Sequence, residues 1–330
     1  MIVLDKNLKV LVTGAAGFLG GHTVRALLGK GVKVRAFVWK HADTRVLDNL
    51  DIERLAGDIT NPNDCITAAD GVDLIIHIAA KVSFQPADRQ IQTAVNIGGT
   101  RNMITAAIKQ GVGRFVHIST VNAFGYPQPG RVGDETTVFN WEPFNIGYMQ
   151  TKKAAQDLVL DAAAHGLNAV VCNPTTMFGP FDVNMNAASY IKGLAHVHGI
   201  MACPPGGTNI ADVRSVAQGI CQAAQKGRQG RCYILGGLDV TYRELFIGIL
   251  NLLNRRALVL PLPTQAILTA AKACEYLCNA LDKTPALTLD MANGSVRRLF
   301  YTSNRAINEI GYRPGDPWKA IADTIRWLGI

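Results

Sequence analysis

The chain has 330 residues, of which 48% are hydrophobic and 18% charged, a balance that excludes intrinsic disorder. A length of this size suggests about two domains. Its 33 Lys and Arg against 25 Asp and Glu give a formal net charge of +8, which favours anionic partners such as nucleotide phosphates. The basic residues are scattered and not interleaved with aromatic residues, so we expect no nucleic-acid binding.

Cysteine usage and the apolar runs indicate the cellular setting. Seven cysteines without paired spacing fit a reducing environment, and we expect a cytoplasmic protein. The first residues form too short an apolar run for a signal peptide. The longest apolar stretch, 266–281, contains Lys272 and Glu275, so no membrane span is expected. His196 and His198 have no third ligand candidate nearby, and no metal site is predicted.

Short continuous apolar runs alternate with helical stretches over the first half of the chain. Continuous runs are typical of strands that helices cover on both faces. Their alternation with helices predicts an α/β fold with a doubly wound parallel sheet, as in a Rossmann domain. The predicted strands are 9–13, 32–38, one ending before Gly57, 72–78, 114–118 and 169–172, and the predicted helices are 19–28, 62–69, 89–109 and 148–165.

The pattern loosens after Pro174, where turn residues separate further helical signals. These helices are predicted at 213–224, 242–253, 264–281 and 317–328. We expect a Rossmann domain over residues 1–174 and a smaller, mostly helical substrate domain over 175–330. Part of 208–240 is expected to return to the Rossmann domain.

A glycine-rich turn follows the first predicted strand and opens the first helix. Gly14 permits the tight turn, Gly17 lets a pyrophosphate approach the backbone, and Gly20 allows close packing of helix on sheet. The helix N-terminus would offer free amides and the positive end of its dipole to the phosphates. Because a strand precedes this turn and a helix follows it, the sequence predicts a dinucleotide site.

The end of the second strand bears on the choice of cofactor. An NAD site usually carries an acidic residue there, which bonds the ribose 2′-hydroxyl. In this chain Lys40 and Arg45 follow the strand, and cations suit the 2′-phosphate of NADP. We therefore predict NADP, with NAD as the alternative through Asp43.

Tyr148 and Lys152 stand four residues apart, on one face of a predicted helix. An ammonium beside a phenol favours the phenolate, and we expect Lys152 to lower the pKa of Tyr148 toward neutrality. Ser119 and Thr120 follow the strand 114–118, at the sheet edge where open parallel sheets bind ligands. A hydroxyl, a phenol and an ammonium at one edge predict proton exchange with an alcohol or carbonyl.

These motifs together resemble the extended short-chain dehydrogenase/reductase family, part of the NAD-dependent epimerase/dehydratase superfamily, over essentially the whole chain. The motifs are Thr13-Gly14-x-x-Gly17-x-x-Gly20, Asp58-Ile59, His77-Ile78-Ala79-Ala80, Asn96 with Gly99-Thr100, Ser119-Thr120, Tyr148-x-x-x-Lys152 and Asn173-Pro174.

The resemblance implies roles for particular residues. Thr120 matches the catalytic Ser/Thr, with Ser119 as the fallback; Tyr148 matches the acid/base, and Lys152 also holds the nicotinamide ribose. Asn96 would line the cleft or simply tie strand to helix, and Asp58 would meet the adenine or cap the helix from Pro62. The family also suggests a homodimer through helices 89–109 and 148–165. The expected cofactor-binding residues are Gly14, Ala16, Gly17, Phe18, Leu19, Lys40, Arg45, Asp58, Ile59, Ala79, Ala80, Lys81, Asn96, Ser119, Tyr148, Lys152 and Pro174.

Three functions follow as alternatives. The first is an NAD(P)-dependent oxidoreductase acting on a small-molecule alcohol or carbonyl, since the C-terminal half is similar to dihydroflavonol 4-reductases and 3β-hydroxysteroid dehydrogenases. The second is a nucleotide-sugar 4-epimerase with tightly bound NAD, and the third a non-catalytic nucleotide sensor. A sugar dehydratase is disfavoured, because Val121-Asn122 stands where those enzymes carry Asp-Glu after the catalytic Thr.

Overall fold

A computed structural model describes residues 3–330. In chain order the strands are β1 (Lys9–Thr13), β2 (Lys33–Val38), β3 (Glu53–Ala56), β4 (Leu74–His77), β5 (Arg114–Ile118), β6 (Ala169–Pro174), β7 (Thr176–Phe178), β8 (Gly199–Cys203), β9 (Gly207–Asp212), β10 (Cys232–Leu235), β11 (Leu238–Thr241), β12 (Ala257–Pro261) and β13 (Arg298–Leu299).

The helices alternate with these strands in the first half and dominate the last quarter. They are α1 (Phe18–Leu28), α2 (Pro62–Ala69), α3 (Arg89–Gln92), α4 (Gly99–Lys109), α5 (Gly147–Ala164), α6 (Ala188–Leu194), α7 (Val213–Lys226), α8 (Tyr242–Leu252), α9 (Thr264–Ala280), α10 (Leu289–Ser295), α11 (Asn304–Ile310) and α12 (Pro317–Leu328).

Seven strands form one parallel sheet in the order β10-β6-β5-β4-β1-β2-β3. β5 and β6 are buried along their whole length, as expected for strands with helices on both faces. The strand order reverses between β1 and β4, which pair with Thr13 opposite His77. The predicted α/β doubly wound fold is confirmed, and this reversal point is where such sheets bind ligands.

The predicted helix 89–109 differs from the structure. It is divided into α3, a π-helical segment at Thr93–Gly98, and α4. The π-helical segment turns Asn96 inward, and only 1% of the surface of Asn96 is exposed. π-Helical turns are often found at functional sites, and this one lies beside the ligand-binding edge. A 3.6-residue hydrophobic period does not reveal it, since the segment is nearly apolar.

The second half contains short strands that the sequence pattern did not indicate. β9 pairs with β7, β11 and β13 in a second sheet, and β12 pairs with β8. β10 joins the large sheet beside β6, and α7 packs on α1. The segment 213–235 therefore lies on the seven-stranded sheet, while α8, α9 and α12 lie outside it.

Side-chain caps fix the starts of several helices. Asn61 caps α2 ahead of Pro62, Asp212 caps α7, and Thr241 forms a capping box at α8. In contrast, α1 and α5 begin without any side-chain cap. Both helices start at the ligand-binding edge. The first backbone amides of α1 are available to other partners, whereas the Gly147 amide of α5 meets Asp290.

Candidate active site

A cleft of about 880 Å³ opens at the carboxyl ends of β1, β4, β5 and β6. It runs from the glycine-rich turn to the first turn of α5, and most of the residues predicted from the sequence line it. These are Gly14, Ala16, Gly17, Phe18, Leu19, Asp58, Ile59, Ala79, Ala80, Lys81, Ser119, Thr120, Tyr148, Lys152 and Pro174.

The glycine-rich turn is held by its own backbone and by β4. Gly14 has a φ of 65°, and a Cβ there would lie 2.8 Å from the backbone of Ala79. A Cβ at Gly20 would lie 2.1 Å from the Gly14 carbonyl oxygen, so any larger residue would displace the turn. Gly17 precedes the uncapped start of α1. Free amides and a helix dipole at this point form a phosphate site.

Buried hydrogen bonds couple the turn to the π-helical segment. The Thr13 hydroxyl oxygen accepts from the Ile78 and Ala79 amides at 3.1 Å each, so its proton is free to donate to Nδ1 of His77 at 2.8 Å. Nε2 of His77 then carries the ring proton and donates to Thr100 at 3.1 Å. Burial lowers the pKa of His77 to about 3, so the ring stays neutral and its role is structural.

Lys40 and Arg45 do not line the cleft, and their contact with the cofactor stays a prediction. Trp39, His41 and Asp43 lie along that wall instead. The Arg45 guanidinium is bonded to Asp43 at 2.5 Å, and its side chain is 84% exposed. This ion pair lowers the pKa of Asp43 to about 2. The Arg45 side chain stays in solvent because it pairs with Asp43, which lies two residues away on the same short turn.

Asn96 also lies outside the cleft lining. Its Oδ1 accepts from the Lys81 amide at 2.8 Å, and its Nδ2 donates to the Lys81 carbonyl at 3.2 Å and to Thr151 at 3.1 Å. The amide group is thus fully used in tying the chain after β4 to α5. Of the two roles expected for Asn96, the structure provides the tie between strand and helix.

Asp58 lines the cleft but does not cap α2. Its Oδ1 accepts from the Thr60 amide and hydroxyl, each at 2.8 Å, which shapes the turn after β3. The cap of α2 is Asn61, which accepts from Asn63. Asp58 therefore shapes the turn after β3 and lines the cleft at the end away from Tyr148.

Three side chains predicted to act together are buried at the other end of the cleft. Tyr148 and Thr120 are 9% and 8% exposed, and Lys152 is 3% exposed. Lys152 Nζ donates to the Ile118 carbonyl at 2.8 Å, which places the ammonium below the end of β5. Burial lowers the pKa of Lys152 to about 7.

The expected lowering of the Tyr148 pKa is wrong for this structure. Burial raises the pKa of Tyr148 to about 12, and the neighbouring Thr120 side chain offsets that rise only in part. A phenolate in a buried site loses its hydration, and this cost exceeds the stabilisation that its surroundings offer. Tyr148 is therefore a protonated phenol at neutral pH, suited to donate a proton.

Several polar atoms at this end of the cleft are buried without a partner among the described residues. They include Ser119 Oγ, Thr175 Oγ1 and Asn173 Oδ1. Ser119 and Thr175 line the cleft, beside Thr120 and Pro174. Buried polar groups normally form hydrogen bonds, so these hydroxyls point to a polar ligand. Together with the glycine-rich turn they fit a dinucleotide.

Sequence reasoning missed part of the lining. Thr175 follows Pro174 at the carboxyl end of β6, so the strand-end rule that singled out Thr120 would have found it. Phe84 contacts the Tyr148 ring edge-on, with centroids 5.5 Å apart. The lining residues that follow β7 could not be predicted, because that strand is only three residues long and has no recognisable sequence pattern. Further lining residues that the sequence did not indicate include Trp39, His41, Ala42, Val82, Ile91, Val95, Met177, Val183, Asn184 and Asn186.

The sequence profile of the "NAD dependent epimerase/dehydratase family" matches residues 10–236. The chain belongs to this family. A "Sterol demethylase protein B" of Methylococcus capsulatus is 32% identical, over 97% of this chain and 98% of its own length. A ketoreductase of a farnesylated dihydroquinoline oxide from Stigmatella aurantiaca is 29% identical, over 98% of this chain and 97% of its own length. The crystal structure of gox2253 matches with a TM-score of 0.84 and 29% identity, over 97% of each chain.

The resemblance to extended short-chain dehydrogenases/reductases is thereby confirmed. Homologues named as dihydroflavonol 4-reductase, 3β-hydroxysteroid dehydrogenase and 2-alkyl-3-oxoalkanoate reductase also match, and the protein is an enzyme of this dehydrogenase/reductase type. Within residues 3–330 no helix is long and apolar enough to cross a bilayer. Over the same residues, no group of three His, Cys, Asp or Glu side chains is placed to hold a metal ion.

Proposed function

We propose that this enzyme interconverts a ketone or aldehyde and the corresponding alcohol on a largely apolar small molecule, with a nicotinamide dinucleotide as hydride carrier. The observation that carries the proposal is the buried set Thr120, Tyr148 and Lys152 at one end of a cleft that has the glycine-rich turn at the other. Thr120 and Tyr148 offer two hydroxyls to one substrate oxygen.

The protonation states favour reduction at neutral pH. Tyr148, with a pKa of about 12, holds its proton and donates it from Oη to the oxygen of the substrate as negative charge develops there. Thr120 hydrogen-bonds the same oxygen and keeps it in place. Burial lowers the pKa of Lys152 to about 7, and its Nζ donates to the Ile118 carbonyl next to Ser119 and Thr120.

The residues present fit the cofactor. Gly14, Gly17 and the first amides of α1 would hold its phosphates, and Ser119, Lys152 and Thr175 would meet the nicotinamide end. When bound, the nicotinamide supplies or accepts the hydride. The chain itself contributes the orientation of the substrate, the exclusion of water and the proton at Tyr148 Oη.

The lining near Tyr148 supports an apolar substrate. Phe84 packs on Tyr148, and Val82, Met177 and Val183 line the same cleft. Apolar lining with a few placed polar groups is usual for sites that bind small organic molecules. The names of two relatives refer to a sterol and to a farnesylated quinoline, both largely apolar compounds.

The cleft does not favour a nucleotide sugar. Among residues 3–330, arginine is absent from its lining, and Lys81 is paired with Asp88 at 3.4 Å. A second diphosphate, beyond that of the cofactor, would need cations that this wall does not supply. Val121 and Asn122 follow Thr120, so the acidic pair of a dehydratase is missing as well.

Release of nucleotide from freshly purified, denatured protein tests this proposal. We expect little bound nucleotide, reversible binding of added cofactor, and oxidation of the reduced cofactor with members of a panel of apolar ketones. Stoichiometric NAD that stays bound, with no consumption of soluble cofactor by any carbonyl compound, would instead support the 4-epimerase.

The predicted preference for NADP rested on Lys40 and Arg45, which do not line the cleft, and we propose that NAD(H) binds at least as well. Arg45→Ala is expected to change the ratio of NADPH to NADH affinity by less than about twofold, because an exposed arginine already paired with Asp43 contributes little. Asp43→Asn frees Arg45 and should shift the ratio toward NADPH. Both ratios are measured by fluorescence titration. A loss of NADPH affinity of about tenfold in Arg45→Ala, with NADH unchanged, would restore the NADP assignment.

A further inference from the structure

Thr120 and Tyr148 are joined by a long loop, residues 121–147, which contains short 3₁₀ turns and ends in Gly147, the first residue of α5. The loop ends at Asn145, which has a left-handed φ of 49°, and at the uncapped start of α5. A long irregular loop loses backbone entropy when it is fixed. Contacts from outside the loop must therefore hold its two ends at the geometry that the reacting groups need.

A C-terminal segment, residues 285–301, supplies these contacts. We call it the strap. Its principal contact is Arg297, whose guanidinium carbon lies 4.1 Å from the ring centre of Phe144, 4.7 Å from that of Tyr126 and 5.6 Å from that of Trp141. All three rings belong to the loop 121–147. A guanidinium within about 6 Å of an aromatic face is attracted by the ring quadrupole.

The three rings also contact one another, so the guanidinium joins a ready-formed cluster. Tyr126 and Trp141 meet edge-on at 4.8 Å, and Trp141 and Phe144 at 6.2 Å. Trp141 is fully buried and donates from Nε1 to the Phe124 carbonyl at 3.1 Å. Arg297 thus contacts the loop both near its beginning and three residues before Gly147.

Two other strap residues hold the same ends of the loop. Tyr301 donates from its hydroxyl to the Gly125 carbonyl at 2.7 Å. Asp290, with a side chain 8% exposed, lies 3.6 Å from Arg89 and accepts from the Gly147 amide. Burial raises the pKa of Asp290, and Arg89 and the Gly147 amide offset that rise only in part. Arg89 in turn donates to the Asn145 carbonyl at 2.6 Å. The strap therefore meets the loop at Gly125, five residues after Thr120, and at Gly147, directly before Tyr148.

We propose that Arg297 is a positioning residue for the reaction, which locks the loop 121–147 through its three aromatic rings and so fixes Tyr148 relative to Thr120. This inference rests on the proposed function, since it assigns Arg297 a role through those two residues. Arg297 itself does not line the cleft. Misplacement of a proton donor by a fraction of its hydrogen-bond length costs rate more than binding.

Arg297→Met tests the proposal, with Arg298→Met as the matched control, because Arg298 is the neighbouring exposed arginine and faces none of the three rings. We expect Arg297→Met to lower kcat about tenfold per nucleotide-binding site, with KM for the cofactor and its Kd unchanged. Hydrogen exchange of peptides from 121–147 in the cofactor-bound protein should rise about tenfold. Arg298→Met should leave both quantities at wild-type values.

Phe144→Leu changes the other partner of this contact, because Phe144 is the ring nearest to Arg297. If Arg297→Met does not fold, this variant tests the proposal in its place. It is expected to give the same loss of kcat and the same faster exchange. Wild-type kcat per binding site and wild-type exchange in either variant would overturn the proposal, even if thermal stability fell. If the wild-type enzyme reduces no carbonyl compound, the proposed function fails, whereas the exchange measurement still decides whether Arg297 locks the loop.

Discussion

Replacement of Tyr148 by Phe is expected to lower kcat by about 10²- to 10⁴-fold, the range that a positioned proton donor contributes. The hydroxyl is the proton source, and the ring that packs on Phe84 is retained. Binding of NADH or NADPH should therefore change by less than about twofold, since Tyr148 has no contact with the glycine-rich turn. Steady-state kinetics with a ketone identified from the panel and fluorescence titration of the cofactor measure the two effects separately.

The pH profile supplies a second signature of Tyr148. With a phenol pKa of about 12, reduction should show no loss on the alkaline side near pH 8 that is due to Tyr148. Tyr190→Phe is a suitable control, because Tyr190 is largely buried beside Tyr242 and Phe246, away from the cleft. If Tyr148→Phe keeps more than about a tenth of wild-type kcat, Tyr148 is not the proton donor.

Much of the fold could be predicted because its signals are local. β5 and β6 are runs of apolar residues that the sheet buries completely, and a run of that kind has few alternatives. The start of α2 combines Asn61 with Pro62, a pairing that defines a helix N-terminus. The short strands β7, β9 and β13 were missed, since two to six residues carry little periodicity and form only where a distant partner is present.

The site, like the fold, has parts that could be predicted from the sequence and parts that could not. Gly14, Thr120 and Tyr148 occupy positions that backbone geometry and strand ends dictate, and these positions can be read from the chain. The orientation of the Arg45 side chain cannot be read from the chain, because it depends on competition between a cofactor phosphate and Asp43 two residues away. The Tyr148 pKa was also misjudged, since spacing along a helix says how close Lys152 stands but not how far burial removes water from the phenol.

Lys152→Met is expected to make the protein more stable while it lowers activity, and the gain should depend on pH. The pKa of Lys152 is lowered from 10.5 in an exposed lysine to about 7 in the folded protein. Below pH 7 both states hold the proton, and the folded protein bears the full cost of a buried ammonium. Between pH 7 and 10.5 the unfolded chain binds more protons than the folded one, so wild-type stability rises with pH.

Methionine fills the same space without a charge. It therefore removes the cost of burying the ammonium, which is largest below pH 7. We expect the free energy of unfolding in urea to increase by about 2–4 kcal/mol at pH 6 and by much less near pH 10, following about 1.4 kcal/mol per pKa unit. Lys153→Met, beside it on the partly exposed side of α5, removes only a surface ion pair with Asp157 and should change stability by less than about 0.5 kcal/mol at either pH. A destabilised Lys152→Met, or a gain that is equal at both pH values, would mean that Lys152 is not a buried cation held for catalysis.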